Sequence, residues 1–199
     1  NYQKCVNAGV CDADPSECGY SYYEEVETDD SGYLGDRKPM MCVTWPQAKA
    51  YCEWLGKRLP TNAEWEKAAR GVDGRHYPWG NNEGPSCDLV VMKENGIRGC
   101  GTKYIWDVCS KSPQGDSPYG LCDVAGNVQE WVSDWYAESY YDSMPLTDPQ
   151  GPVDDLLKVQ RGGHYSGSDW SDQYFMGNRM WGHYDDREEA TGFRCAKSL

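Results

Sequence analysis

Apolar residues recur at helical spacing in two stretches of the chain. In "TWPQAKAYCEWLGK", Ala48, Tyr51, Cys52 and Leu55 fall on one face. Thr44 and Gln47 have the spacing of a capping box, Pro46 is tolerated in a first turn, and Gly56 suits a stop. "TNAEWEKAARG" repeats the device, with Thr61 and Glu64 at the start, Trp65, Ala68 and Ala69 inward, and Gly71 at the end. Beyond Gly71 no long helix is indicated. Short runs in "NVQEWVSDW", "LKVQRGG" and "TGFRCAK", punctuated by Gly, Pro, Asn and Asp, predict brief strands. Residues 1–41 show little periodicity, and with three cysteines and an acidic run they read as an irregular, disulfide-stapled segment. The pattern predicts a single α+β domain over 1–199, with two helices, small antiparallel sheets and much ordered loop.

Composition narrows the function classes. The chain has 15 Tyr and 9 Trp against 2 Phe, a bias toward aromatics with a polar handle, which suit half-buried positions and binding faces. A net charge of −13 opposes nucleic acid and anionic membranes as partners. No apolar run approaches the roughly 18 residues of a membrane span. No secretory leader is visible, so Asn1 is expected to follow a processed or trimmed one. Ten cysteines without a C-x-x-C pair, and only three histidines, read as disulfides rather than a structural zinc site. Disulfides imply an oxidising, extracytoplasmic setting.

Five blocks then occur in order: "KRLPTNAEWEKAARG", "YPWGN", "YGLCDVAGNVQEWVSDWY", "RGG" and "GFRCA". Together they resemble the formylglycine-generating-enzyme (sulfatase-modifying-factor) domain, a variant of the C-type lectin fold, over about residues 40–199. The resemblance implies a disulfide between Cys52 and Cys195, closing 143 residues, with a ceiling of roughly 5 kcal/mol on chain-entropy grounds. It maps the family's calcium ligands onto Asp123, the backbone carbonyls of Gly126 and Val128, and Glu130, a set suited to a hard cation in a structural role. Enzymes of the family use two copper-coordinating cysteines, whose positions fall near Gly167 and near Ser171 or Asp172. There is no cysteine from 123 to 194, so neither a thiolate ligand nor a sulfur nucleophile is present there, and no copper or iron is expected. His164 and His183, with Asp169, Asp172 or Asp185, can be drawn as an iron triad but read more simply as loop histidines. Ser166, His183 and Asp185 lack the G-x-S-x-G elbow of a hydrolase.

The stretch "GGHYSGSDWSDQYFMGNRMWGHYDD" keeps the family's frame of Arg161, Gly162, Gly163, Asn178, Arg179 and Arg187. Where many members carry repeated Asn, this chain has His, Tyr, Ser, Gly and Asp, all reachable from an Asn codon by replacing its adenines. That is similar to the variable region of proteins diversified by retroelements, which use this same scaffold. Trp170, Gln173, Met176, Met180 and Trp181 do not fit that codon route and would be fixed or of other origin. The resemblance implies a variable region of about 161–194 within a domain of 42–199. The expected contact residues are His164, Tyr165, Ser166, Ser168, Asp169, Trp170, Asp172, Tyr174, Met180, Trp181, His183, Tyr184 and Asp185. Tyr, Trp and His supply contact area, while Ser, Gly and Asp supply adaptable hydrogen bonds. About a third of the stretch is expected to be buried, with Trp170, Phe175 and Trp181 the candidates. The expectation is a non-catalytic display protein of a cell surface or virion, meeting a protein or other surface ligand. The alternative is an oxidoreductase or metal-dependent enzyme of the family with altered catalytic residues.

Overall fold

The computed structural model describes residues 2–12, 32, 35–153, 155–167 and 172–198. Both capping boxes form. Helix α2 spans Trp45–Trp54 and starts at Thr44, whose hydroxyl accepts from Gln47 N–H while the Gln47 side chain accepts from Thr44 N–H. Helix α3 spans Asn62–Arg70 and starts the same way with Thr61 and Glu64, ending at Gly71 with φ 74°. In α2, Ala48 and Cys52 are buried, but Leu55 becomes the cap residue and is exposed. A short helix α1, Tyr2–Asn7, was not legible in the sequence; Cys5 within it is bridged to Cys11, and Tyr2 stacks on Tyr51 of α2.

The three expected strands form and a fourth joins them. β1 is Gln129–Trp135, β2 Leu157–Arg161, β3 Met180–His183 and β4 Thr191–Phe193. They make one sheet in the order β3-β2-β1-β4, with β1 antiparallel to β2, β2 antiparallel to β3, and β4 parallel to β1. β1 is buried along most of its length because both its faces are covered. Trp131 packs with Ala48 and Cys52 of α2, and Val132 packs with Trp65 and Ala69 of α3. β3 is an edge strand whose Met180, Trp181 and His183 face outward.

Between α3 and β1 runs a long segment of turns. Two disulfides, Cys87–Cys100 and Cys109–Cys122, hold it. The Asn127 side chain brackets it, accepting from Trp106 N–H at 3.0 Å and donating to the Trp106 carbonyl at 3.2 Å. Cys52 and Cys195 are bridged, and Cys42 is also disulfide-bonded. Among the described residues no cysteine is a free thiol. No described helix is long and apolar enough to cross a membrane.

Candidate binding face

The stretch after β2 is pinned at its start by Arg161, which is fully buried. Its guanidinium donates to Glu66 at 2.9 Å, to the Met176 carbonyl at 2.5 Å and to the Asn178 carbonyl, and lies over Trp65. Gly162 and Gly163 follow with φ 95° and 69°, and a Cβ on Gly162 would collide with the Val124 carbonyl. The chain therefore turns sharply, and residues 164–167 run back under the surface.

The described residues of the first half of the stretch are mostly interior. Tyr165 is 1% exposed and packs with Met41, Val91, Ile105 and Val128. Tyr174 is fully buried, and its hydroxyl donates to the carbonyls of His164 and Gly167 at 2.8 and 2.7 Å. Both were expected to contact ligand. They are core residues instead, because their rings fill the space under the turn and their backbone or hydroxyl groups find partners there. Phe175 is half-buried and Met176 fully buried. Ser168, Asp169 and Trp170 lie outside the described residues, and Asp172 is exposed.

His164 is half-buried, with its Nδ1 2.8 Å from the Ser166 hydroxyl. Burial, helped by the Arg98 charge, holds its pKa down at about 4. Ser166 thus pairs with His164 and not with His183, which is exposed on β3. Below about pH 6.5 the unfolded chain takes up a proton that the folded His164 refuses until about pH 4. Stability is therefore expected to fall across that window, by up to about 3 kcal/mol. Urea unfolding at pH 7 and pH 4.5 should show a smaller drop for His164→Gln than for the parent; an equal drop rejects a neutral buried imidazole.

The second half is surface. Met180, Trp181 and Tyr184 are 43%, 51% and 36% exposed, and His183 and Asp185 are exposed beside them. Trp181 was a candidate for burial; the edge position of β3 puts it outside. Gly182 alone turns inward, and a Cβ there would overlap Glu188, Gln160 and Trp131. The rings have a firm base. Trp181 lies 6.3 Å from Tyr136, and Tyr184 sits edge-on to Trp135 at 5.8 Å. Behind Trp135, the Lys158 ammonium is held between the rings of Trp45 and Trp135, and donates to the Ser133 carbonyl at 2.7 Å. The Arg179 guanidinium lies over Tyr141 at 4.1 Å and Tyr136 at 5.1 Å. Tyr136, Tyr141 and Leu156, 65% exposed, thus extend the face beyond the predicted stretch. The aromatic density of "DWYAESYYD" was the signal that sequence reasoning passed over.

The implied calcium residues are charge-compensated without a cation. Glu130 is 4% exposed and receives Arg194 in a bidentate pair at 2.6 and 2.5 Å, with Trp65 Nε1 donating at 2.7 Å. Asp123 accepts Cys109 N–H at 2.6 Å and also faces the Arg194 charge; burial pushes its carboxyl above the ordinary range. Arg194 pairs directly with Glu130 and acts on Asp123 through its charge, so as arranged these two carboxylates face an internal cation. Among the described residues the potential ligands that converge are Cys109, Cys122 and Asp123, and the two sulfurs are already joined.

The folded unit is a disulfide-stapled α+β scaffold of the C-type lectin kind, in its formylglycine-generating-enzyme form. The sequence matches the sulfatase-modifying factor enzyme 1-like domain over residues 1–199, and the chain belongs to that family. It is 39% identical over 166 residues to the formylglycine-generating enzyme of Streptomyces coelicolor, covering 79% of this chain and 52% of that protein. The chain spans about half the length of the first curated relatives it matches. The structure of PvdO from Pseudomonas aeruginosa is similar with a TM-score of 0.72 at 25% identity, covering 99% of this chain and 75% of that one. The structure of Treponema denticola variable protein 1 has the same fold, with a TM-score of 0.65 at 24% identity over 89% of this chain and 76% of that one.

Proposed function

We propose that this chain is a non-catalytic ligand-binding display module, with its contact surface on β3 and the turn that follows. The observation that carries this reading is the exposed cluster of Met180, Trp181, His183, Tyr184 and Asp185 on a sheet edge, backed by fixed aromatic rings. Large apolar side chains in a contiguous exposed group mark a surface meant to be covered. Tyr and Trp there give contact area at low rotamer cost. The partner is a protein or other surface ligand, and the module is displayed outside the cytoplasm, on a cell or virion, where its disulfides persist.

Two observations support the absence of catalysis. The stretch that carries the family's reactive cysteines has none here. At Gly167, near one of those positions, the Gln173 side-chain amide lies where a Cβ would point. The fold shared with a variable protein of Treponema denticola supports the further reading that the contact residues are diversified between copies. The similarity to formylglycine-generating enzymes favours the alternative, an enzyme with altered catalytic residues.

Randomising Met180, Trp181, His183, Tyr184 and Asp185 in a phage-displayed library should leave most clones folded and yield binders to unrelated protein targets. Alanine at Met180, Trp181, His183 or Tyr184 should each change stability by less than about 1 kcal/mol. Alanine at Tyr165 or Tyr174 should cost about 3–5 kcal/mol. A library dominated by misfolded clones, or copper-dependent oxygen uptake with a cysteine peptide, would remove the display reading.

A further inference from the structure

A cleft of ≈ 470 Å³ runs between the length of α3, with Lys67 and Arg70 also lining it, and the segment that follows β1. Asn62 and Glu66 form one wall, Tyr140 and Tyr141 the other, and Asp134 lines it from β1. Two acceptors there are left without donors among the described residues. Asn62 is 5% exposed; its Nδ2 donates to the Tyr141 hydroxyl at 2.7 Å, but its Oδ1 is buried with no described partner. Asp134 is 4% exposed; its Oδ2 accepts from Asn62 N–H at 2.7 Å and from the Ser133 hydroxyl at 2.9 Å. No described residue donates to its Oδ1 or forms an ion pair with it, and burial pushes its carboxyl above the ordinary range.

The cations nearby make their hydrogen bonds elsewhere, although the Lys158 charge attracts Asp134 through space. Lys158 gives its ammonium to the Ser133 carbonyl and two indole rings, and Arg70 gives its guanidinium to Glu66, the Gly74 carbonyl and the Arg75 carbonyl. Lys67 stands exposed at the rim and makes no ion pair among the described residues. A buried amide oxygen without a donor is costly, and a desolvated carboxylate with one oxygen unbonded is held at a cost as well. A group that answers both is rich in donors and needs no acceptor of its own, and beside a carboxylate a positive charge is favoured, which describes an alkylammonium. An anion is repelled by Asp134. The Tyr141 ring already holds one cation, Arg179 at 4.1 Å, and the tyrosine wall adds cation–π attraction for another.

We propose that this cleft binds a primary ammonium group, with Asp134 Oδ1 and Asn62 Oδ1 accepting its N–H groups and Tyr140 and Tyr141 lining its stem. The group can be a lysine side chain or a free α-amine, and the cleft adjoins the β3 face through Tyr141. Nα-acetyl-lysine methylamide, Nε-acetyl-lysine methylamide and the doubly acetylated compound would be titrated into the labelled chain and followed by NMR. At least one of the two charged compounds should shift the Asn62 side-chain amide, and the stronger of them identifies the source. The doubly acetylated compound should bind at least about tenfold more weakly, and Asp134→Asn should lose a similar factor with its melting temperature recorded alongside. Equal binding of the acetylated compound, an unshifted Asn62 amide, or full affinity in a folded Asp134→Asn variant overturns the proposal. Because the acetylation comparison needs no variant, the test survives even if Asp134→Asn does not fold.

Discussion

Removing the Cys52–Cys195 bridge, as Cys52→Ala with Cys195→Ala, should cost about 4–5 kcal/mol and lower the melting temperature by roughly 10–15 °C. The bridge closes 143 residues, and loop-closure entropy grows with the logarithm of that number. The Cys5–Cys11 bridge spans only 6 residues, so Cys5→Ala with Cys11→Ala should cost about 2 kcal/mol by the same relation. The native-state contacts act in the same direction. Cys52 is fully buried in the cluster that holds Trp131 and Leu59, and Cys195 follows β4, next to the paired backbones of Arg58 and Ala196. Without the bridge, β4 and its flanks keep the short parallel pairing with β1, the Met41–Gly192 and Arg58–Ala196 backbone pairings, the Phe193 ring against Tyr2 and Tyr51, and the Arg194 side chain as ties to the rest. Scanning calorimetry of the two variants checks the ranking. A smaller loss for Cys52 and Cys195 than for Cys5 and Cys11 would show that packing, not chain closure, fixes the terminal strand.

The elements that could be read from the sequence are those decided locally. A capping box is complete within four residues, so α2 and α3 are visible at Thr44 and Thr61 with no knowledge of the fold. β1, β2 and β4 carry their signal in short β-branched and aromatic runs. β3 has no such run: its apolar Met180 and Trp181 face outward and a glycine faces in, which inverts the usual pattern. The division of the 164–186 stretch into interior and surface is similarly hidden. Tyr165, Tyr174 and Tyr184 are chemically identical, and their burial is set by Met41, Ile105, the carbonyls of His164 and Gly167, and the edge position of β3. The amine cleft depends on Asn62 meeting Asp134, 72 residues away, and no spacing rule anticipates that. Glu130 is the sharpest case. An acidic residue near a second one, in a glycine-containing loop, has the sequence signature of a cation ligand; its actual partner arrives from beyond the last strand.

That partnership yields the second large effect expected. Glu130→Ala should destabilise the chain by about 3–5 kcal/mol, because it leaves the Arg194 guanidinium without the carboxylate it grips at 2.5 and 2.6 Å. It also strips the Trp65 indole N–H of its acceptor. Replacing both partners, as Glu130→Leu with Arg194→Met, should recover much of the loss, since an apolar pair of similar size needs no counter-charge. A cation ligand would behave differently. If calcium were held by Asp123 and Glu130, EDTA would lower the melting temperature of the parent, and Glu130→Ala would lose its effect once the metal was gone. With Arg194 in the cation's place, EDTA should shift the parent by less than about 2 °C, and the cost of Glu130→Ala should be the same with and without chelator. A large EDTA effect on the parent would show that Arg194 yields its position to calcium. Glu130 would then be a metal ligand held in reserve by an internal cation.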